Sequence, residues 1–122
     1  MVTFDIIPWD RIPGTIFKQS DFDNEALKQT IADLSQSSIV KEHADLLRQA
    51  DFIFVDAAKD GKMEWRLLNN FKAIGLKKGA LLCFDDIRLW NMLAVWKSIP
   101  YPKMDVTSLG HYTGTGLVLI DR

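Results

Sequence analysis

Three aspartates and a lysine stand where two apolar runs stop. In "DFIFVDAAKD", residues 51–60, the run Phe52–Val55 ends on Asp56, and Lys59 follows three positions later. In "ALLCFDD", residues 80–86, the run ends on Asp85 and Asp86. Carboxylates packed together without a cation raise one another's pKa. A divalent ion removes that repulsion, and an all-oxygen set favours Mg2+ or Ca2+ over zinc. Lys59, one short turn beyond Asp56, reaches the rim of the same volume. Each residue also has an ordinary reading. An Asp at a strand end is often a helix N-cap or a turn former, so Asp56 could cap a helix over 61–74 and Asp86 one beginning near Leu89. Lys59 alone is most often a solvated charge. The repetition of the pattern on two strands is what weighs toward a site.

The elements that must position these residues follow from periodicity and breakers. "VTFDII", residues 2–7, reads as a short strand, and "PWDRIPGT" after it as a loop. "QTIADL" has the shape of a brief strand ending at Asp33. Residues 37–49 suit an amphipathic helix, and 51–56 a buried strand. Residues 61–74 read as a helix, "GLKKGA" as its end, "ALLCFDD" as a second buried strand and "LWNMLAVWKSI" as a helix stopped by "PYP". The tail "DVTSLGHY", turn "TGTG" and "LVLID" read as a hairpin. Continuous apolar strands alternating with helices predict a mostly parallel sheet covered on both faces. Ligands of such sheets gather at the carboxyl ends of the strands, where Asp56, Asp85 and Asp86 stand. A strand–helix–strand unit joins the two acidic strands, so their ends are expected about 5 Å apart.

Composition sets the bounds. At 122 residues the chain fits a single α/β domain over 1–122, and a net charge of −1 gives no electrostatic argument for nucleic acid or an anionic membrane. No apolar run nears the roughly 20 residues of a membrane span, and "MVTFDIIPWDR" lacks the features of a signal peptide, so the chain is placed in the cytoplasm. The single Cys83 lies inside "ALLCF" and reads as a buried, inert thiol. Trp65, Phe71, Trp90 and Trp96 recur at helical spacings and are expected in the core; Trp9, in the proline-flanked loop, is expected nearer a ligand. His111 stands between the two tail strands. It could line a pocket, although a lone loop histidine is more often incidental.

"FIFVDAAKD" followed by "GALLCFDDI" resembles the second half of class I S-adenosylmethionine-dependent methyltransferases, most closely the cation-dependent, catechol type of O-methyltransferase. "FDDIRLWNMLAVW" and "GHYTGTGL" are similar to a bacterial group of methyltransferase-like proteins. The resemblance covers nearly the whole chain. It implies a Rossmann-like methyltransferase fold with the tail as its C-terminal antiparallel hairpin. It makes Asp56 and Asp85 metal ligands, with Asp86 where the catechol enzymes have Asn, and gives Lys59 the place of the general base. It sets Asp5 on the cofactor's ribose and Asp33 against its adenine. S-adenosylmethionine and Mg2+ or Ca2+ are then the implied cofactors, and a small-molecule methyl acceptor the implied substrate.

One departure is expected to matter. The family's first strand and glycine-rich loop should precede "VTFDII", so the fold reads as N-terminally truncated, and this chain alone is expected to fold without binding the cofactor usefully. That first strand is central in the family. Its loss would leave the edges of strands 2–7 and 51–56 facing a gap, to be closed by direct pairing or by a second chain in a homodimer. The alternative to an enzyme is a non-catalytic α/β interaction or scaffold module.

Overall fold

The computed structural model describes residues 1–122. Its strands form two small sheets instead of one. β1 (Val2–Asp5) pairs in parallel with β2 (Lys28–Ile31). The second sheet has the order β3–β4–β6–β5, from β3 (Phe52–Val55), β4 (Leu81–Asp85), β6 (Thr115–Leu119) and β5 (Lys103–Asp105). β3 and β4 are parallel neighbours, as a strand–helix–strand unit requires, and β6 runs antiparallel to both β4 and β5. The architecture is α/β with mixed sheets rather than one mostly parallel sheet. β1 and β3 do not pair. Instead, Phe4 of β1 meets the His43 ring edge-on at 5.2 Å and packs against the main core.

Four helices complete the chain: α1 (Ser37–Glu42), α2 (Ala44–Gln49), α3 (Lys62–Ile74) and α4 (Met92–Ser98). The single helix expected over 37–49 breaks at His43, whose ring is the one that contacts Phe4. All four send their buried residues into one cluster. Val40, Leu47, Phe71 and Trp96 meet Val55, Leu82, Phe84 and Val118, which share a single face of the four-stranded sheet. The other face is left uncovered, contrary to the expectation of cover on both. Strands apolar on both sides record that both faces avoid water; they do not supply the second layer. No helix is long and apolar enough to cross a membrane.

Two further expectations are corrected. "TGTG" is not simply a turn, because Thr115 and Gly116 already belong to β6. Gly116 lies opposite Phe84, and a Cβ there would stand 2.6 Å from Trp96 Cζ3, so the residue is glycine to admit the indole. Trp90 is not core. It is 73% exposed and sits in a left-handed turn (φ 45°) just before α4 begins.

Cys83 is buried although it belongs to the uncovered face, between its cross-strand partners Phe54 and Leu117. Burial, and secondarily the charge of Asp85, pushes its thiol above the ordinary range. We expect Cys83 to label at least about tenfold more slowly with an aromatic disulfide reagent in the native protein than in urea, since the thiolate is the reacting species. Equal rates in the two conditions would show that Phe54 and Leu117 do not shield it.

Candidate functional site

The site begins where β3 ends. Residues 56–61 turn sharply, with Lys59 at φ 60° and Gly61 at φ 77°. Two acids hold this loop. Asp60 Oδ1 accepts the backbone N–H groups of Lys62 (2.8 Å) and Met63 (2.9 Å) at the start of α3, and these bonds lower its pKa. Glu64, 1% exposed, accepts the N–H groups of Lys59 (2.6 Å) and Gly61 (3.0 Å). From the opposite side, Asn91 Nδ2 donates to the Asp60 carbonyl at 3.2 Å.

So fixed, Lys59 projects its ammonium among the three aspartates. Nζ lies 3.0 Å from Asp56 Oδ1 and 3.9 Å from Asp85 Oδ2, and it forms a close ion pair with Asp86. Hydrogen bonds to Asp86 and then Asp56 push the lysine pKa far above its ordinary value. The Asp86 carboxyl is correspondingly lowered, first by Lys59 and then by the Thr113 hydroxyl. Asp86 is buried and sits at φ 56°, an uncommon conformation for a residue with a side chain. Asp56 and Asp86 therefore do not cap the helices that follow them; their carboxylates turn to Lys59 instead.

A third element closes the cluster. His111 Nε2 lies 2.7 Å from Asp85 Oδ1, its Nδ1 is 3.9 Å from Asp86 Oδ1, and the Thr113 hydroxyl contacts Nδ1. The loop that carries them is pinned to the end of β4: Ile87 N–H donates to the Gly114 carbonyl (3.2 Å) and Arg88 N–H to the Thr113 carbonyl (2.9 Å). Only glycine permits this approach, since a Cβ at Gly114 would lie 2.8 Å from Ile87 Cγ1, and its φ is 103°. Asp85, Asp86 and His111 each offer a ligand atom within 4.8 Å of the others. This candidate metal set has a nitrogen donor in place of the Asp56 oxygen, which broadens the suitable ions beyond Mg2+ and Ca2+.

Asp5 and Asp33 are not part of this arrangement. Asp5 Oδ1 accepts the Ile7 N–H at 3.0 Å. Asp33 accepts Ser35 N–H at 2.9 Å and Gln36 Nε2 at 3.1 Å, and the Ser35 side chain, then Gln36 and the Ser35 N–H, lower its pKa. Both carboxylates serve the local turns after their strands. Asp5 also lines a cleft of about 190 Å3 with Trp9, Phe17 and Phe22; Asp33 does not. Trp9 stacks on Phe22 at 4.9 Å, which gives it an intramolecular partner. A second cavity, about 330 Å3, is walled by Leu68, Phe71, Leu82 and Tyr101 and contains none of the carboxylates.

Glu64 is the contributor absent from the sequence reading, although it carries a usable signal, a glutamate three residues after the glycine that precedes a helix. His111, which the sequence allows to line a pocket, reaches Asp85 because β6 pairs with β4.

No family model, curated protein or solved structure matches this chain. The functional reading therefore rests on the geometry of the cluster and on the residue patterns that first pointed to it.

Proposed function

We propose that Asp56, Lys59, Asp85, Asp86 and His111 form the acceptor half of a metal-assisted O-methyl-transfer site, with S-adenosylmethionine as the donor class and a small hydroxylated molecule as acceptor. The observation that carries this reading is the convergence of three carboxylates, from the carboxyl ends of two parallel strands, on one lysine. A cation held by Asp85, Asp86 and His111 would supply Lewis-acid lowering of the acceptor hydroxyl's pKa. Lys59 is a cation while it neutralises the three aspartates, and it cannot accept a proton in that state. A metal held at Asp85 and Asp86 would offset the charges that keep Lys59 protonated, which would couple the base to the metal through the same carboxylates. Asp56 keeps Lys59 at the rim after such an exchange. The Asp85–His111–Thr113 chain orients the imidazole toward the same carboxylates.

The donor half does not fit as the family resemblance implies. The carboxylates of Asp5 and Asp33 are engaged in their own turns, where they accept Ile7 N–H and Ser35 N–H. Calorimetry tests both halves. Mg2+, Ca2+ or Mn2+ is expected to bind, and Asp86→Asn to weaken binding tenfold or more, on the order of 1.4 kcal/mol. S-adenosylhomocysteine is expected not to bind this chain at micromolar concentration. If neither the native protein nor Lys59→Met binds any of these ions, the cluster is a structural ion-pair network.

A second reading, a non-catalytic interaction module, is favoured by the uncovered sheet face with its exposed Phe52 and Phe54.

A further inference from the structure

The helix-covered side of the four-stranded sheet holds a second feature, remote from the aspartates. Between α3 and the strands lies the cavity of about 330 Å3. Leu68 and Phe71 of α3, Leu82 of β4 and Ile120 just after β6 line it, and all four are buried. Leu82 stands near the start of β4, the strand that Asp85 ends. The cavity also borders Gly75, which is exposed and where a Cβ would meet nothing within 4 Å. A ligand therefore has a way in beside the end of α3. At about 30 Å3 for a water-sized atom in a liquid, this volume holds on the order of ten non-hydrogen atoms.

The charges on the wall select the ligand's chemistry. Lys72 and Arg122 line the cavity, and no acid does. Other cations at this end of the molecule are occupied by helix ends. Arg48 Nε donates to the Ile74 carbonyl at 2.7 Å, and Lys103 Nζ to the carbonyls of Trp96, Lys97 and Ile99 at the end of α4. Lys72 has no such task, and its ammonium takes part in none of the ion pairs. Arg122 lies over the Tyr101 ring at 5.6 Å and donates to the Pro100 carbonyl at 3.2 Å, which keeps it at the rim. Its acidic neighbour, Asp121, stands 3.9 Å away and does not line the cavity. The last carbonyls of α3, which would repel an anion, are themselves engaged. Those of Phe71 and Lys72 accept the Gly75 N–H, and that of Ile74 accepts Arg48. The stems of Lys72 and Arg122 extend the apolar wall while their charged heads stay at its edge. An apolar pocket of this size with two cations at its rim complements a short apolar body that ends in one negative charge.

We propose that this cavity binds a small amphipathic monocarboxylate, its apolar body against Leu68, Phe71, Leu82 and Ile120 and its carboxylate at Lys72 and Arg122. The site is separate from the aspartate cluster and does not depend on the methyl-transfer reading.

Calorimetry with octanoate, an acid of about that size, is expected to give a dissociation constant below about 1 mM. Hexanoate, which buries two methylenes fewer, should bind about tenfold more weakly. Octanol, of equal length but without the charge, should also bind about tenfold more weakly. Lys72→Glu should erase the preference for the acid by weakening octanoate and leaving octanol unchanged, and Arg122→Glu should act in the same direction. Both residues are exposed, and circular dichroism checks that the fold persists. Phe54→Ser, on the uncovered face of the sheet, should leave octanoate binding unchanged. A diazirine-bearing octanoate should label peptides containing Leu76 or Tyr101, both on the cavity wall. Absence of octanoate binding at millimolar concentration would overturn the proposal. So would octanol bound as tightly as octanoate, an octanoate affinity that Lys72→Glu does not change, or label confined to the strands of the uncovered face.

Discussion

Replacing Lys59 by methionine is expected to cost about 2–4 kcal/mol of stability at neutral pH, and to leave a protein that becomes more stable as the pH falls toward about 4. Removing one partner of a buried ion pair costs about 3–5 kcal/mol, because the remaining charge is left without compensation. The lower figure applies here because Asp56 is half exposed, whereas Asp86 is buried. In the native protein the Asp86 carboxyl is lowered. Its contribution is therefore present above the unfolded carboxyl pKa of about 3.9 and is lost as the pH drops through the folded value. Lys59 is raised, so its contribution is complete below about 10.4 and disappears only as the pH climbs through its folded value.

Without the ammonium the sign at Asp86 reverses. A buried carboxylate beside Asp85 with no cation has its pKa raised above the unfolded value, and protonation relieves the repulsion. Urea unfolding at pH 7 and pH 4.5 distinguishes the cases, since the variant should gain stability between them while the native protein, still above the unfolded carboxyl pKa of about 3.9, should change little. A divalent ion should restore the variant. A site saturated a hundredfold over its dissociation constant contributes about 2.7 kcal/mol, close to the loss. A Lys59→Met protein as stable as the native one across this range would show that the ion pairs are not formed in solution.

Where an apolar run stops on an acid, sequence and structure agree, because the physics is local. Val55 and Phe84 are buried and Asp56 and Asp85 follow them, and the helix over 62–74 makes β3 and β4 parallel neighbours. The meeting of Asp56, Asp85, Asp86 and Lys59 was thus legible, although the cation they share here is the lysine. Other features depend on partners distant in sequence. His111 reaches Asp85 because β6 pairs with β4, and hairpin chemistry alone does not say which strand lies on β6's other side. Phe52 and Phe54 look like core residues in a one-dimensional pattern; their exposure follows from all four helices packing on one face. Asp5 and Asp33 show the reverse error. Asp5 ends β1 and Asp33 stands two residues beyond β2, yet each is claimed by the backbone two residues on, which is common turn chemistry. Trp90 fits a helical period, but the helix begins after it.

Glu64→Ala is expected to cost about 2–5 kcal/mol, because two buried or part-buried N–H groups lose their acceptor and each unsatisfied donor costs about 1–3 kcal/mol. Glu64→Gln, which keeps one acceptor oxygen, should cost about half as much. The larger consequence is for Lys59. Asp60 already satisfies the first N–H groups of α3, so the bonds of Glu64 serve the loop before the helix. They hold Lys59 at a positive φ that a side-chain-bearing residue adopts only under constraint. Release of that constraint lets the backbone relax and draws the ammonium away from Asp86 and Asp56. Mild acylation followed by mass spectrometry reads this directly. In the native protein Lys59 should be among the slowest lysines to react, since its amine is protonated and ion-paired. In Glu64→Ala it should react about as fast as Lys41, while the other lysines keep their rates. Loss of stability with Lys59 still protected would reduce Glu64 to a helix cap and leave the lysine held by the aspartates alone.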